Sequence, residues 1–181
     1  MISKQLDEIT TAVQREFAGL DDTQLNGRPA RDKWSIAQCL DHIVVSNETY
    51  YPAFESLINR KYRRSFWQIF NPFTNIAGKK GLELLKAGKT KLKAPRIFEP
   101  SKDVEIKNIV ARFVAHQQKL GMLFDKLENA GVMDRVISSP VTSMLTLKVG
   151  DAINIIIEHE LRHYKQALGV KESCISIVSK I

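Results

Sequence analysis

Two of the four histidines stand at a spacing that could bind a metal ion. His159 and His163 are four positions apart, in the run Ile157-Glu158-His159-Glu160-Leu161-Arg162-His163. On an α-helix this spacing places both side chains on one face, one turn apart. Two imidazoles held in this way form a bidentate site for a divalent transition metal. The other interpretation is a pair of ordinary histidines whose nitrogens are hydrogen-bonded, and the spacing alone leaves both open.

The same run matches the H-E-x-x-H pattern of zinc peptidases, in which the glutamate, here Glu160, is the general base. Such a peptidase needs a third ligand downstream, but the chain continues Tyr164-Lys165-Gln166-Ala167-Leu168, and Glu172 is the only later carboxylate. The sequence also gives little sign of the sheet that would hold a peptide substrate. A zinc peptidase is therefore a remote alternative.

A third histidine ligand could come from upstream. His42 follows Trp34 by eight positions, in the run Trp34-Ser35-Ile36-Ala37-Gln38-Cys39-Leu40-Asp41-His42. It lies on the flank of that segment's apolar face, which suits a side chain reaching across a cleft between helices. An exposed helical histidine would occupy the same position. His116 lies at the edge of another apolar face, and we interpret it as structural.

Four segments with apolar residues at a helical period must position these histidines. They span approximately 2–20, 36–58, 101–131 and 149–168. The second is predicted to begin after a capping box of Ser35 with Gln38 and to continue past Pro52. Gly131 and Gly169 are the predicted stops of the third and fourth. Strand-like alternation is limited to Val141–Leu147 and Cys174–Val178.

The economical fold is an all-α, antiparallel four-helix bundle that forms a single domain over 1–181. Its second and third helices are joined by a long insert at about 59–101, and a tail covers 170–181. A short helix is expected over Gly81–Ala87. Residues 60–102 carry twelve basic and two acidic side chains, a net charge of +10 that leaves −3 for the rest of the chain.

The insert is therefore basic, and it carries the aromatic residues Phe66, Trp67, Phe70 and Phe73. A segment of this length without regular structure usually has a function. It could be a lid over an anionic thiol cofactor, a surface for a membrane or nucleic acid, or a loop whose aromatic rings pack on the bundle. No recognised nucleic-acid-binding motif accompanies it, so nucleic acid is an unlikely partner.

Composition excludes several other classes. The 181 residues are 44% hydrophobic and 26% charged, which is typical of a globular protein. No apolar run is long enough to span a bilayer, and the first residues lack the apolar region of a signal peptide. Cys39 and Cys174 are too few for a disulfide framework. We therefore expect a cytoplasmic protein with free thiols.

Two segments together resemble the DinB-like (DinB/YfiT) family. They are Trp34-Ser35 at a helix start with His42 eight residues after the tryptophan, and His159-x-x-x-His163 with Gln166 three residues further on. The resemblance covers about Met1 to Gly169. It implies a four-helix bundle whose metal site is His42, His159 and His163, and it implies frequent homodimers. The better understood relatives are metal-dependent transferases of low-molecular-weight thiols or thiol-dependent isomerases.

The resemblance thus implies a metal-dependent enzyme that acts on a small-molecule substrate, either a thiol S-transferase-like protein or a small-molecule hydrolase. Zinc and nickel suit imidazole ligands best, and a low-molecular-weight thiol is a candidate second cofactor. Glu160 and Gln166 are candidates for orienting the ligands or lining the pocket, and no catalytic residue is assigned. The alternative is a non-catalytic stress-response or binding module that uses the basic aromatic insert.

Overall fold

Helices make up most of the protein, seen here in a computed structural model that describes residues 2–71, 74, 78–80, 82–83 and 104–178. The helices that bear on the site or its supports are α1 (Ile2–Phe17), α2 (Asp22–Asn26), α3 (Ile36–Glu48), α4 (Tyr51–Ile58), α5 (Phe66–Phe70), α6 (Ile109–Asn129) and α7 (Val149–Val178). A small sheet of two strands, β1 (Val136–Ser139) and β2 (Thr142–Lys148), precedes α7. The expectation of a mostly helical chain is confirmed, although a sheet is added to it.

The four long helices share one apolar core. α1 and α3 each pack against both α6 and α7, and α4 packs against α6. The largest side chains that are fully enclosed include Phe17 from α1, Phe54 from α4 and Phe113 from α6. Burying such side chains is the main favourable contribution to folding, and it fixes α3 and α7 side by side.

The start of α3 is set by a capping box. The Ser35 hydroxyl accepts a hydrogen bond from the Gln38 backbone N–H at 3.1 Å, and the Gln38 side chain accepts one from the Ser35 N–H at 3.0 Å. These bonds satisfy two donors that a helix start would otherwise leave unpaired. The predicted capping box is confirmed, and it fixes the first turn of the helix that carries His42.

The predicted continuous helix over 36–58 is wrong in one respect, because it is divided at Glu48–Tyr51. Pro52 lies in the first turn of α4. Proline lacks a backbone N–H and its ring would collide with the preceding turn, so it starts a helix more readily than it continues one. The break turns α4 onto α6, where Phe54 contacts Phe124 at a ring separation of 6.3 Å.

α6 begins later than the 101–103 expected from its pattern. Asn108 has a left-handed backbone with φ of 52° just before the helix. Ile106 lies outside the helix because the Asn26 side chain bonds both its backbone N–H and its carbonyl, at 3.0 and 2.9 Å. The predicted stop is confirmed, since Gly131 follows the helix with φ of 65°, a region that glycine adopts without strain.

α7 continues past the predicted stop at Gly169 to Val178, so the strand-like reading of Cys174–Val178 is wrong. A glycine inside a helix costs only about 1 kcal/mol, and tertiary contacts here outweigh that cost. Val170 is buried. The Lys171 ammonium donates to the backbone carbonyl of Glu16 at 2.8 Å and to its carboxylate at 3.1 Å, which fixes this part of α7 to α1.

The predicted strand Val141–Leu147 is confirmed as β2, which pairs with β1 as an antiparallel hairpin. Ile137 and Leu147 face each other and are buried. α5 is attached to the hairpin, because the Trp67 indole donates to the Met144 carbonyl at 2.8 Å. The helix expected over 81–87 falls mostly outside the described residues. Within those residues no helix is both long and apolar enough to cross a membrane.

Candidate metal centre

The three histidines singled out from the sequence come together between α3 and α7. One ring nitrogen of each of His42, His159 and His163 lies within 4.8 Å of the other two. The ring centroids are 4.5–5.0 Å apart. α3 supplies the first imidazole and α7 the other two, so the packing of these helices brings together residues 117 positions apart.

One of the nitrogen–nitrogen separations matches that of a zinc site. Nε2 of His42 lies 3.2 Å from Nε2 of His159. Two nitrogens at about 2.0–2.1 Å from a tetrahedral zinc ion are roughly 3.3 Å apart. Nδ1 of His163 is buried and has no hydrogen-bond partner among the residues that the structure describes, although a buried ring nitrogen is normally satisfied. The donor set is therefore one that could hold a divalent cation.

Burial keeps two of the rings neutral. It is the main reason that the pKa of His159 falls to about 3 and that of His163 to about 2. The neighbouring imidazoles and the positive charge of Arg162 lower both pKa values further. A neutral imidazole has the free electron pair that a metal ligand needs, so both rings stay in their ligating form across the physiological pH range.

Trp34 covers the cluster from the end of α3. Its indole is stacked on His163, with ring centroids 5.7 Å apart, and is tilted against His42 at 4.9 Å. It precedes the capping residue Ser35, so the capping box that starts the helix also positions the indole. The indole restricts the orientation of both rings and covers one side of the cluster.

A protein family matches most of the chain. The sequence model of the DinB superfamily matches residues 5–167. The chain belongs to the DinB superfamily. This member is similar to the uncharacterized protein YuaE of Bacillus subtilis (strain 168), with 27% identity over 158 residues, 87% of this chain and 89% of that protein. No solved structure matches the chain.

Glu160, between the two histidines of α7 in this DinB superfamily member, lies in a separate buried network. Its carboxylate accepts hydrogen bonds from the Asn47 amide at 2.6 Å and from the Gln117 amide at 2.7 Å. The side chain is fully buried, which raises its pKa to about 7 although both hydrogen bonds lower it. A general base must reach the proton it removes, so this arrangement disfavours the peptidase alternative.

His116 belongs to the same network and not to the three-histidine cluster. Its Nε2 lies 3.2 Å from the Asn47 amide nitrogen, and its Nδ1 lies 3.0 Å from the Tyr51 hydroxyl. The Tyr51 ring stacks on it at 5.9 Å. Burial lowers the pKa of His116 to about 4, and Arg112 and Lys119 act in the same direction. His116 therefore holds three helices together in its neutral form.

The remaining candidates lie outside the cluster. Gln166 is exposed on α7, one turn beyond His163, and it acts weakly against the lowering of that ring's pKa. Asp41 is paired with Arg112 at 2.7 Å, which ties α3 to α6 next to His42. Cys39 is completely buried, and burial raises the pKa of its thiol to about 12, so it is no nucleophile at neutral pH.

Sequence reasoning missed the polar network. Asn47 and Gln117 occupy positions of the apolar faces of α3 and α6, and both are buried. A polar residue at an apolar position was the available signal, because a buried amide needs a partner. Its partner, Glu160, comes from a helix that is distant in sequence, so the pattern within α3 or α6 cannot identify it.

Proposed function

We propose that this protein is a metal-dependent enzyme whose metal ligands are His42, His159 and His163. The metal is zinc or nickel, and the substrate is a low-molecular-weight thiol or a small hydrolysable molecule. The closest description of the activity is therefore a thiol S-transferase-like enzyme or a small-molecule hydrolase. The observation that supports the proposal is the convergence of three ring nitrogens within 4.8 Å of one another.

The chain's own residues prepare the site. A divalent cation bound by three imidazoles would lower the pKa of a water molecule or a thiol beside it, which supplies a nucleophile near neutral pH. Burial keeps His159 and His163 unprotonated, and Trp34 orients His163 by stacking. Glu160 acts at a distance, by fixing α7 to α3 and α6 through Asn47 and Gln117.

The proposal also covers the molecule as a whole. We propose an antiparallel four-helix bundle of α1, α3, α6 and α7, in one domain, and the contacts of α1 and α3 with both α6 and α7 support this arrangement. Cytoplasmic residence is supported by the free thiols of Cys39 and Cys174. A homodimer is proposed from family membership alone.

Metal content tests the site directly. The protein is purified without a histidine tag, loaded with zinc or nickel, and analysed for elements beside H42A, H159A and H163A. We expect about one metal ion per chain in the wild type, because three imidazoles complete a catalytic-type ligand set. Each single variant leaves two ligands and should lose most of the metal at the same free concentration.

H116Q is the matched control, since it replaces the fourth histidine, which lies outside the cluster. It should keep the wild-type metal content. Absence of metal from the loaded wild type, or an equal loss in H116Q, would overturn the proposal.

The reaction is tested separately from the metal. Metal-loaded wild type and H163A are screened with low-molecular-weight thiols plus small electrophiles, and with small esters and amides. Turnover that depends on His163 would support an enzyme and identify its class. Metal binding without turnover across both screens would favour the alternative of a non-catalytic binding module.

A further inference from the structure

A pocket lies at the ends of α4 and α6, and the three histidines are not part of it. Its volume is about 530 Å³, within the range of small-molecule sites. It is lined by the last residues of α4, the turn that follows them, the segment between α6 and β1, and the first residue of β1. None of the three histidines is among its lining residues, since His42 lies in α3 and the other two lie in α7.

Three arginines give this pocket a strong positive charge. Arg60 and Arg64 come from the turn after α4, and Arg135 comes from the segment before β1. None of the three has an ion-pair partner among the described residues. Asp134, the acid next to Arg135 in the sequence, is paired with Lys148 at 2.9 Å. The lining of the pocket therefore carries three positive charges that no carboxylate in the described part of the chain pairs with.

Arg60 has an unusual backbone for its residue type. Its φ is 57°, a left-handed conformation that glycine adopts most easily at the position after a helix. The turn is held by backbone bonds, because the N–H groups of Lys61 and Tyr62 both donate to the Ser56 carbonyl, at 2.9 and 3.1 Å. The chain thus places a long cationic side chain at the pocket where a glycine would fit with less strain.

The rest of the lining defines the ligand further. Leu57, Ile58, Val132 and Val136 supply an apolar wall. Guanidinium groups bind phosphate through paired N–H donors. Three of them match the charge of a phosphate monoester, about −1.5 to −2 near neutral pH, better than the single charge of a carboxylate. We propose that this pocket binds the phosphate group of a phosphate monoester whose organic part contacts the apolar wall.

Calorimetric titration of the full chain tests this proposal with three soluble probes: inorganic phosphate, phenyl phosphate and benzoate. We expect phenyl phosphate to bind most tightly, because it meets both the arginines and the apolar wall. R64Q and R135Q should each weaken its binding by about tenfold, the loss of one charged hydrogen-bonding group. R60G removes the third guanidinium while leaving a residue suited to the left-handed backbone.

Two controls separate this pocket from other cationic sites. Arg63 lies next to Arg64 and is exposed, but it does not line the pocket, so R63Q should leave the affinity for phenyl phosphate within about twofold of the wild type. H163A should also leave the affinity for phenyl phosphate unchanged, because His163 does not line the pocket. If phosphate were bound at the histidines instead, its binding would be lost in that variant. An equal loss in R63Q or in H163A would overturn the assignment.

Vesicles determine whether the monoester is free or part of a lipid. Binding to vesicles with phosphatidic acid, lost in R64Q and R135Q, would support the proposed chemistry with a lipid as its source. Binding to phenyl phosphate in solution, lost in the same variants, would support a soluble ligand. Equal binding to vesicles with phosphatidylglycerol, a diester, would overturn the proposal, as would failure of every monoester probe to bind.

Discussion

At the scale of single residues, Glu160 links three helices. Its two carboxylate oxygens accept one amide from α3 and one from α6, while its own backbone belongs to α7. A buried carboxylate without partners would be very unfavourable, and these two bonds make its burial possible. The side chain of Glu160 therefore connects α3, α6 and α7 in the interior, and these contacts depend on its two hydrogen bonds.

We expect Glu160→Ala to lower the free energy of unfolding by about 3 kcal/mol, because one N–H of the buried Asn47 amide and one of the buried Gln117 amide lose their acceptor. Urea denaturation at pH 7 measures the change. Asp125→Ala is the matched control, since Asp125 is an exposed acid near the end of α6 and should change stability by less than about 0.5 kcal/mol. Equal effects of the two substitutions would contradict the role of the network.

His116 should make stability depend on pH. Its pKa is about 4 in the folded protein, against an ordinary value of 6.5, so the unfolded chain takes up the proton first. The contribution of neutral His116 is therefore fully present above pH 6.5 and is lost as the pH falls towards 4. The loss should be on the order of 2–3 kcal/mol.

The measurement compares urea denaturation of metal-free wild type and H116Q at pH 7 and pH 4. Glutamine keeps an amide for Asn47 and Tyr51 but cannot take up a proton in this range. H116Q should lose less stability between the two pH values than the wild type does. An identical loss would show that His116 is not the titrating group.

The three histidines identified in the sequence lie together in the structure, but their surroundings were not predicted. His159 and His163 share a face because of helix geometry alone, whereas the flank position of His42 left two interpretations open and the resemblance placed it in the metal site. The sequence places Trp34 directly before the cap of α3 and eight positions before His42, but it does not show that the indole covers the imidazoles. That contact depends on how α3 lies against α7, which no local spacing encodes.

At the scale of elements, the capping boxes determine where helices start. Ser35 caps α3 and is buried, whereas Ser65 caps the short helix α5 with the same Ser-x-x-Gln pattern and is exposed. The two boxes have similar hydrogen bonds in different surroundings. They form a natural matched pair for measuring what a cap contributes to the structure around His42.

Ser35→Ala should lower the free energy of unfolding by about 1 kcal/mol, the usual contribution of a helix cap. It should also weaken metal binding, because the first turn of α3 positions both Trp34 and His42. Ser65→Ala should leave both quantities nearly unchanged. Denaturation and metal titration of the two variants test this, and matching losses would argue against a special role for the α3 cap.

Apolar periodicity located the long helices, but their ends depended on other contacts. A new helix begins with Pro52 in its first turn where the apolar pattern predicts a continuous one, because the spacing of apolar residues carries no information about the missing backbone N–H of proline. α7 passed through Gly169 because Lys171 is bound to α1. In both cases the boundary depends on backbone hydrogen bonding or tertiary contacts that the 3.6-residue period does not contain.

At the scale of the whole molecule, the proposed metal would join α3 to α7. A cation that binds only the folded chain stabilises it by about 2.7 kcal/mol at one hundred times its dissociation constant. For a chain of this size we expect a rise in Tm of roughly 5–10 °C on adding excess zinc. H159A, which lacks one ligand, should show little rise, and an equal rise in both proteins would place the zinc elsewhere.

The position of Trp34 gives the protein its own optical reporter. Only Trp34 and Trp67 fluoresce as indoles in this chain, and the first lies against two imidazoles while the second is exposed on α5. Replacing Trp67 with phenylalanine would leave a single emitter beside the histidines. The emission wavelength and fluorescence lifetime of Trp34 would then report, without an added dye, whether the imidazoles are protonated and whether they hold a metal ion.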